Sequence, residues 1–142
     1  MKSFIFCGLV ICLSAGIVKA QGNLTVNVSG FKNSKGMCKL WVYNSADGWP
    51  SNEKKAYKIV EVPITGSGSV CVFKNLPAGT YAISAIHDEN GNHKFDMNLF
   101  GIPKEAYGNT NGIRGGIGGA PKYDQVKITV PENGLTVAIV VK

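Results

Sequence analysis

The stretch LTVNVS, residues 24–29, sets Leu24, Val26 and Val28 on one side of an extended chain and Thr25, Asn27 and Ser29 on the other. A side-chain period of two, with the apolar set on one side, marks a half-buried β-strand. Similar β-rich segments recur at MCKLWVY (37–43), AYKIVEVPI (56–64), SVCVFKNL (69–76), TYAISAIHD (80–88), YDQVKITV (123–130) and LTVAIVV (135–141). In the second of them Cys38, Leu40 and Val42 take the inward side, and Pro63 in the third suggests an edge or the end of pairing. Turn chemistry separates the segments at Gly66–Gly68, at LPAG and at PENG. The one short helical segment expected lies around Ser51–Ala56, where Ser-Asn-Glu resembles a start signal. About seven short strands predict an all-β fold, an antiparallel β-sandwich of about seven strands with an Ig-like two-sheet arrangement.

The first twenty residues stand apart from this pattern. Lys2 is followed by Phe4–Val18, a 15-residue run without a charge, and by Val18-Lys19-Ala20. That order reads as a signal peptide cut after Ala20, and the run is shorter than the roughly 20 residues a spanning helix requires. Cys7 and Cys12 also raise a lipoprotein signal, against which Ile11 stands where a small residue is expected. The expectation is an exported chain, periplasmic or secreted, with residues 21–142 forming one sandwich domain and no transmembrane segment. Of 15 basic residues two fall in the signal, which leaves 13 against 9 acidic, a net charge of +4. The excess is scattered, with Lys54-Lys55 the only adjacent pair, so nucleic acid is a poor partner.

Cys38 and Cys71 are the two cysteines outside the signal. In an oxidising compartment an even pair on two strands suggests a disulfide, and two buried free thiols are the alternative. Neither has a CxxC partner, which argues against redox catalysis. Trp41 alternates out of the inward set and Trp49 follows a turn. With Tyr107 they are candidates for a surface that binds a glycan or a protein, and packing against the long loop described next is the competing reading.

That loop, Asp88–Lys122, is the one long break in the alternation, and it holds 8 of the 18 glycines. Connections of this length in compact domains are usually functional or disordered. Phe95, Met97, Leu99, Phe100, Ile102, Tyr107, Ile113 and Ile117 favour a loop that packs down on the sandwich. It opens with HDENGNHKFD (87–96). Counted from Asp88 as position one, Asp88, Asn90, Asn92 and Asp96 fall at one, three, five and nine, and the backbone carbonyl of Lys94 at seven. Calcium takes six to eight hard oxygens, and loops that wrap it offer alternate residues in this order. Against this, His93 stands where such loops carry glycine, and Leu99 where the bidentate glutamate belongs. Asn90-Gly91 also makes a metal-free turn. His87 and His93 with Asp88 or Asp96 offer a transition-metal alternative.

Three blocks, LPAGTYA, then HDENGN…D, then FGIPKE.YG, resemble in order and spacing the exported bacterial proteins grouped as domain of unknown function 2141. LTVNVSGFKNSKGMCKLWVYNSADGWP and YDQVKITV extend the resemblance over most of the chain after residue 20. It implies export and a sandwich fold, and it is silent on activity. In that group the acidic turn usually carries glycine at the position of His93. LPAGTYAI is also similar to a segment of transthyretin-like sandwiches found as carboxypeptidase regulatory domains.

Three functional expectations follow. The first is a non-enzymatic module that binds a protein, small-molecule or glycan ligand through the 88–122 loop, with calcium as a possible stabilising ion. The second is a small metal-dependent enzyme using His87, His93, Asp88 and Asp96. The third is a structural envelope protein.

Overall fold

The computed structural model describes residues 21–116 and 118–142. The expected signal peptide, residues 1–20, and the loop residue Ile117 lie outside them. Eight strands form two sheets: β1 Gln21–Ser29, β2 Met37–Tyr43, β3 Lys58–Pro63, β4 Gly68–Pro77, β5 Gly79–Asp88, β6 Tyr107–Asn109, β7 Ile128–Val130 and β8 Leu135–Val140. One sheet has the order β4-β1-β8; the other runs β3-β2-β5-β6, with β7 also paired to β5. Leu24, Val26 and Val28 of β1 and Cys38, Leu40 and Val42 of β2 all point into the space between the sheets, where Phe73, Tyr81, Ile83, Ala85 and Ile139 join them. Period two with one dry side thus produces the sandwich, as the sequence predicts. Pro63 is the last residue of β3, an edge strand, the position where a residue without an N–H is tolerated.

Four details depart from the expected pattern. The pairing of β1 with β8 is parallel, in register from Leu24 with Leu135 to Ser29 with Val140. Residues 123–130 do not form one strand. Tyr123–Val126 makes a helical turn, α1, at whose start the Lys122 N–H donates to Gln125 Oε1 at 2.8 Å while Gln125 N donates back to the Lys122 carbonyl at 3.0 Å. The 88–122 loop supplies an eighth strand, β6, which adds to the free edge of β5 from Ser84 to Ile86. The helical segment expected near Ser51–Ala56 is a 3-10 turn at Glu53–Lys55, capped by the Asn52 side chain.

The two sheets differ in their outer faces. On the three-stranded sheet that face is open, and Val70, Val72 and Val140 are exposed there. On the larger sheet it is roofed. Trp41, Tyr43 and Ile86 form a second apolar layer under Trp49, Ala56, Phe95, Tyr107 and Tyr123. Strand β5 is consequently buried on both faces from Tyr81 to Asp88.

Candidate functional site

The roofed face carries the chemistry. Alternation along β2 sends Lys39, Trp41 and Tyr43 outward, and along β5 it sends Ser84, Ile86 and Asp88 the same way. Two segments cover them: the connection from β2 to β3, and the 88–122 loop.

The acidic turn begins at the end of β5. Asp88 is fully buried and its carboxylate organises the backbone that follows. Oδ1 accepts from the N–H of Gly91 at 2.8 Å and of Asn92 at 3.2 Å, and Oδ2 accepts from His93 N at 2.8 Å. Asn90 Oδ1 accepts from Asn92 N, and Asn92 Oδ1 from Lys94 N, both at 2.9 Å. The Asn90 and Asn92 amide groups then both donate to Asp96 Oδ2, at 2.8 and 2.9 Å. These bonds, Asn90 first, hold the Asp96 carboxyl below its usual range. Asp88, Asn90, Asn92, Lys94 and Asp96 are thus drawn into one compact turn, with Asp88 engaged by backbone donors and Asp96 by carboxamides.

His93 sits at φ +63°, the left-handed conformation that glycine adopts without strain. Its surroundings hold it there: the Nδ1 proton bridges both oxygens of Glu61, at 2.9 and 3.0 Å, and its carbonyl accepts from Lys39 Nζ. Gly36, at φ +69°, closes on the same place. A Cβ there would lie 1.8 Å from the Asp88 carbonyl oxygen, so only glycine lets the β1–β2 connection approach the turn.

Lys39 is a site residue that sequence reasoning missed. It is 4% exposed, and its ammonium donates to Glu53 Oε1 at 2.7 Å, lies 3.8 Å from Glu61 and stands 5.2 Å from the centre of the Trp41 ring. One cation therefore ties β2, the 3-10 turn, β3 and the acidic turn together. That bond holds the Glu53 carboxyl below its usual range. The available signal was position: Lys39 lies between the inward Cys38 and Leu40 on a strand whose outward neighbour is a tryptophan.

Several expected roles are revised. Trp41 is 2% exposed, so it is no surface contact. Phe95 of the loop packs on it, with ring centres 6.2 Å apart, and its Nε1 donates to Glu53. Trp49 is half-buried against Tyr43 and Tyr123, and its Nε1 donates to the Pro121 carbonyl at 2.8 Å. Cys38 and Cys71 are free thiols rather than a disulfide. They fill the core as small apolar groups from facing sheets, and burial pushes the Cys38 thiol up to about 12. His87 is buried, donates from Nε2 to the Lys35 carbonyl at 2.8 Å and stacks edge-on with Phe31. With His93 turned to Glu61, the two imidazoles and the two aspartates do not assemble. Among the described residues no three His, Cys, Asp or Glu side chains form a group able to hold a metal ion.

Beside the turn, between the roof and the sheet, lies a cavity of about 470 Å³. Phe95, Met97, Ile102, Tyr107 and Pro121 contribute apolar walls, and Ser84 and Asn109, partners across β5 and β6, are buried polar residues of its lining. Tyr107 is the one expected surface residue that faces this space. Arg114 covers its other side, 4.5 Å from the ring centre, and donates to the Lys142 carbonyl. No pattern in the sequence announces a cavity, because its walls come from five separate places in the chain.

Among the described residues no helix is long and apolar enough to cross a membrane. No curated protein and no solved structure matches the chain. The model of a bacterial family, described as an uncharacterized protein conserved in bacteria, matches residues 26–138 and so takes in both sheets, the acidic turn and the cavity walls. The chain therefore belongs to the bacterial family of domain of unknown function 2141.

Proposed function

We propose that this protein is an exported, non-enzymatic β-sandwich module that binds a small, largely apolar ligand in the cavity under the 88–122 loop. The cavity itself carries the reading. Its size falls within the roughly 300–1,000 Å³ of small-molecule sites, and its make-up, apolar walls with a few fixed polar groups, is what such sites share. Ser84 and Asn109 would orient a polar end of the ligand, while Phe95, Met97, Ile102 and Tyr107 would desolvate its apolar body. Titration with 1-anilinonaphthalene-8-sulfonate tests this. The dye should bind with enhanced emission, and Ala120→Trp at the exposed rim should abolish binding without lowering the melting temperature. Equal binding by the variant would refute the site.

Calcium is proposed as the ion that pins the mouth of this loop. Asp88, Asn90, Asn92, Asp96 and the Lys94 carbonyl supply hard oxygens at the spacing calcium loops use. What favours this reading is Glu105. Its Oε2 accepts from Asp96 N, while Oε1 is buried without a partner. Burial, and the charges of Asp88 and Asp96, push its carboxyl above the usual range. A cation drawn to the oxygens of the turn would offset the cost of that buried charge through space, with the three carboxylates not themselves gathered into a ligand set.

A further inference from the structure

The loop does more than roof the sheet. Between Asp96 and Lys104 it projects as a short hairpin. Met97 bridges Pro103, Asn98 N donates to the Ile102 carbonyl at 2.9 Å, and Lys104 N donates to the Asp96 carbonyl at 2.9 Å. The Asn98 side chain braces the tip from within, its Oδ1 accepting from Phe100 N at 2.9 Å and Ile102 N at 3.0 Å. The result is a preformed finger whose tip is apolar. Leu99 is 101% exposed and Phe100 86%, and Met97 and Ile102 are also open to solvent.

A single exposed leucine needs no explanation, but Leu99 and Phe100 side by side at a braced tip, with the half-open Met97 and Ile102 running back from it to the cavity, mark an interaction surface. The charge around the finger points to the partner. The base of the finger is flanked by two exposed lysines, Lys94 and Lys104, while the neighbouring acids Asp96 and Glu105 are half-buried. An apolar tip flanked by lysines suits a lipid surface, where aromatic and aliphatic groups enter the acyl boundary and lysines meet anionic headgroups.

We propose that the 96–104 finger is a membrane-docking element that inserts Leu99 and Phe100 into an anionic lipid surface. This stands independently of the ligand in the cavity. The test is co-sedimentation of the protein with vesicles of phosphatidylcholine alone and of phosphatidylcholine mixed with phosphatidylglycerol. Binding is expected on the mixed vesicles and weaker on the neutral ones. The double substitution Leu99→Ser/Phe100→Ser should weaken it ~10-fold or more, from the apolar area no longer buried. It should leave the melting temperature unchanged, because neither side chain touches the core. Lys94→Gln/Lys104→Gln should remove the preference for anionic lipid. Phe100→Trp should shift to bluer emission on the vesicles. Failure of the protein to sediment with either vesicle overturns the proposal, as does undiminished binding by the serine variant. So does self-association lost in that variant without any vesicle binding, which would seat the finger on a second copy instead.

Discussion

Replacing Asp88 probes the turn most directly. Its carboxylate is fully buried and accepts three backbone N–H groups, from Gly91, Asn92 and His93. Asp88→Asn keeps the oxygen that serves Gly91 and Asn92 but sets an amide N–H₂ against the His93 N–H. One charge-assisted bond is lost and two donors face each other, for which about 2–3 kcal/mol is expected. Asp88→Ala strands all three donors. Because Asn90–His93 are exposed, water recovers part of the loss, leaving about 3–5 kcal/mol. For a domain of this size each kcal/mol shifts the melting temperature by about 3–5 °C. The two variants should then melt roughly 6–15 °C and 9–25 °C below wild type when followed by circular dichroism in chelator. Amide exchange at Gly91, Asn92 and His93 should quicken in both. An asparagine variant within about 1 °C of wild type, or no gap between the two variants, would refute the account of the turn.

Lys39→Met should cost about 1–3 kcal/mol, less than a fully buried pair, because the half-exposed Glu53 is rehydrated once freed; chemical denaturation reads this out. Millimolar calcium should raise the melting temperature over that in chelator, by mass action on the folded state. Glu105→Gln should abolish that rise while raising stability in chelator near neutral pH. A carboxyl with a raised folded value opposes folding above its ordinary 4.5, and glutamine removes that charge. Glu53, Glu89 and Asp96 have the opposite sign. All three carboxyls are held low by hydrogen bonds, so their stabilisation is present at neutral pH. It should be lost as pH falls below 4.5 for the glutamates and 3.8 for Asp96, as acid titration of the melting temperature will show. Cys38 and Cys71 should resist a thiol reagent in the native state and both react in guanidinium without reductant; silence there would mean that they are bonded.

The strands were legible wherever one face is dry and the other wet. LTVNVS alternates because Leu24, Val26 and Val28 meet the core while Asn27 and Ser29 meet water. The same logic went only part of the way on β2. It set Trp41 outside the inward set with a binding surface and packing under the long loop both open, and it passed over Lys39; segments distant in the chain cover both, and no local pattern encodes that cover. Strand β6 escaped notice because Tyr107–Asn109 is too short to show a period and exists only by pairing with β5. YDQVKITV reads as one strand by composition, but the exchange between Lys122 and Gln125 turns its first half into α1. In the acidic turn the one-three-five-nine spacing was readable, but the donation of the Asn90 and Asn92 amides to Asp96 was not. The pairing of His93 with Glu61 and the orphaned Glu105 oxygen depend on tertiary contacts. So does the cavity.

The parallel seam between the first strand and the last has a consequence for how the molecule comes into being. Leu24 aligns with Leu135, 111 positions further along, and β1 lies in the middle of its sheet, with β8 on one side. Closing so long a span makes folding slow relative to local structure, and the small sheet stays unfinished until β8 has been synthesised. Until then one edge of β1 stays unpaired, and a stalled chain would present it as a template on which another strand could add.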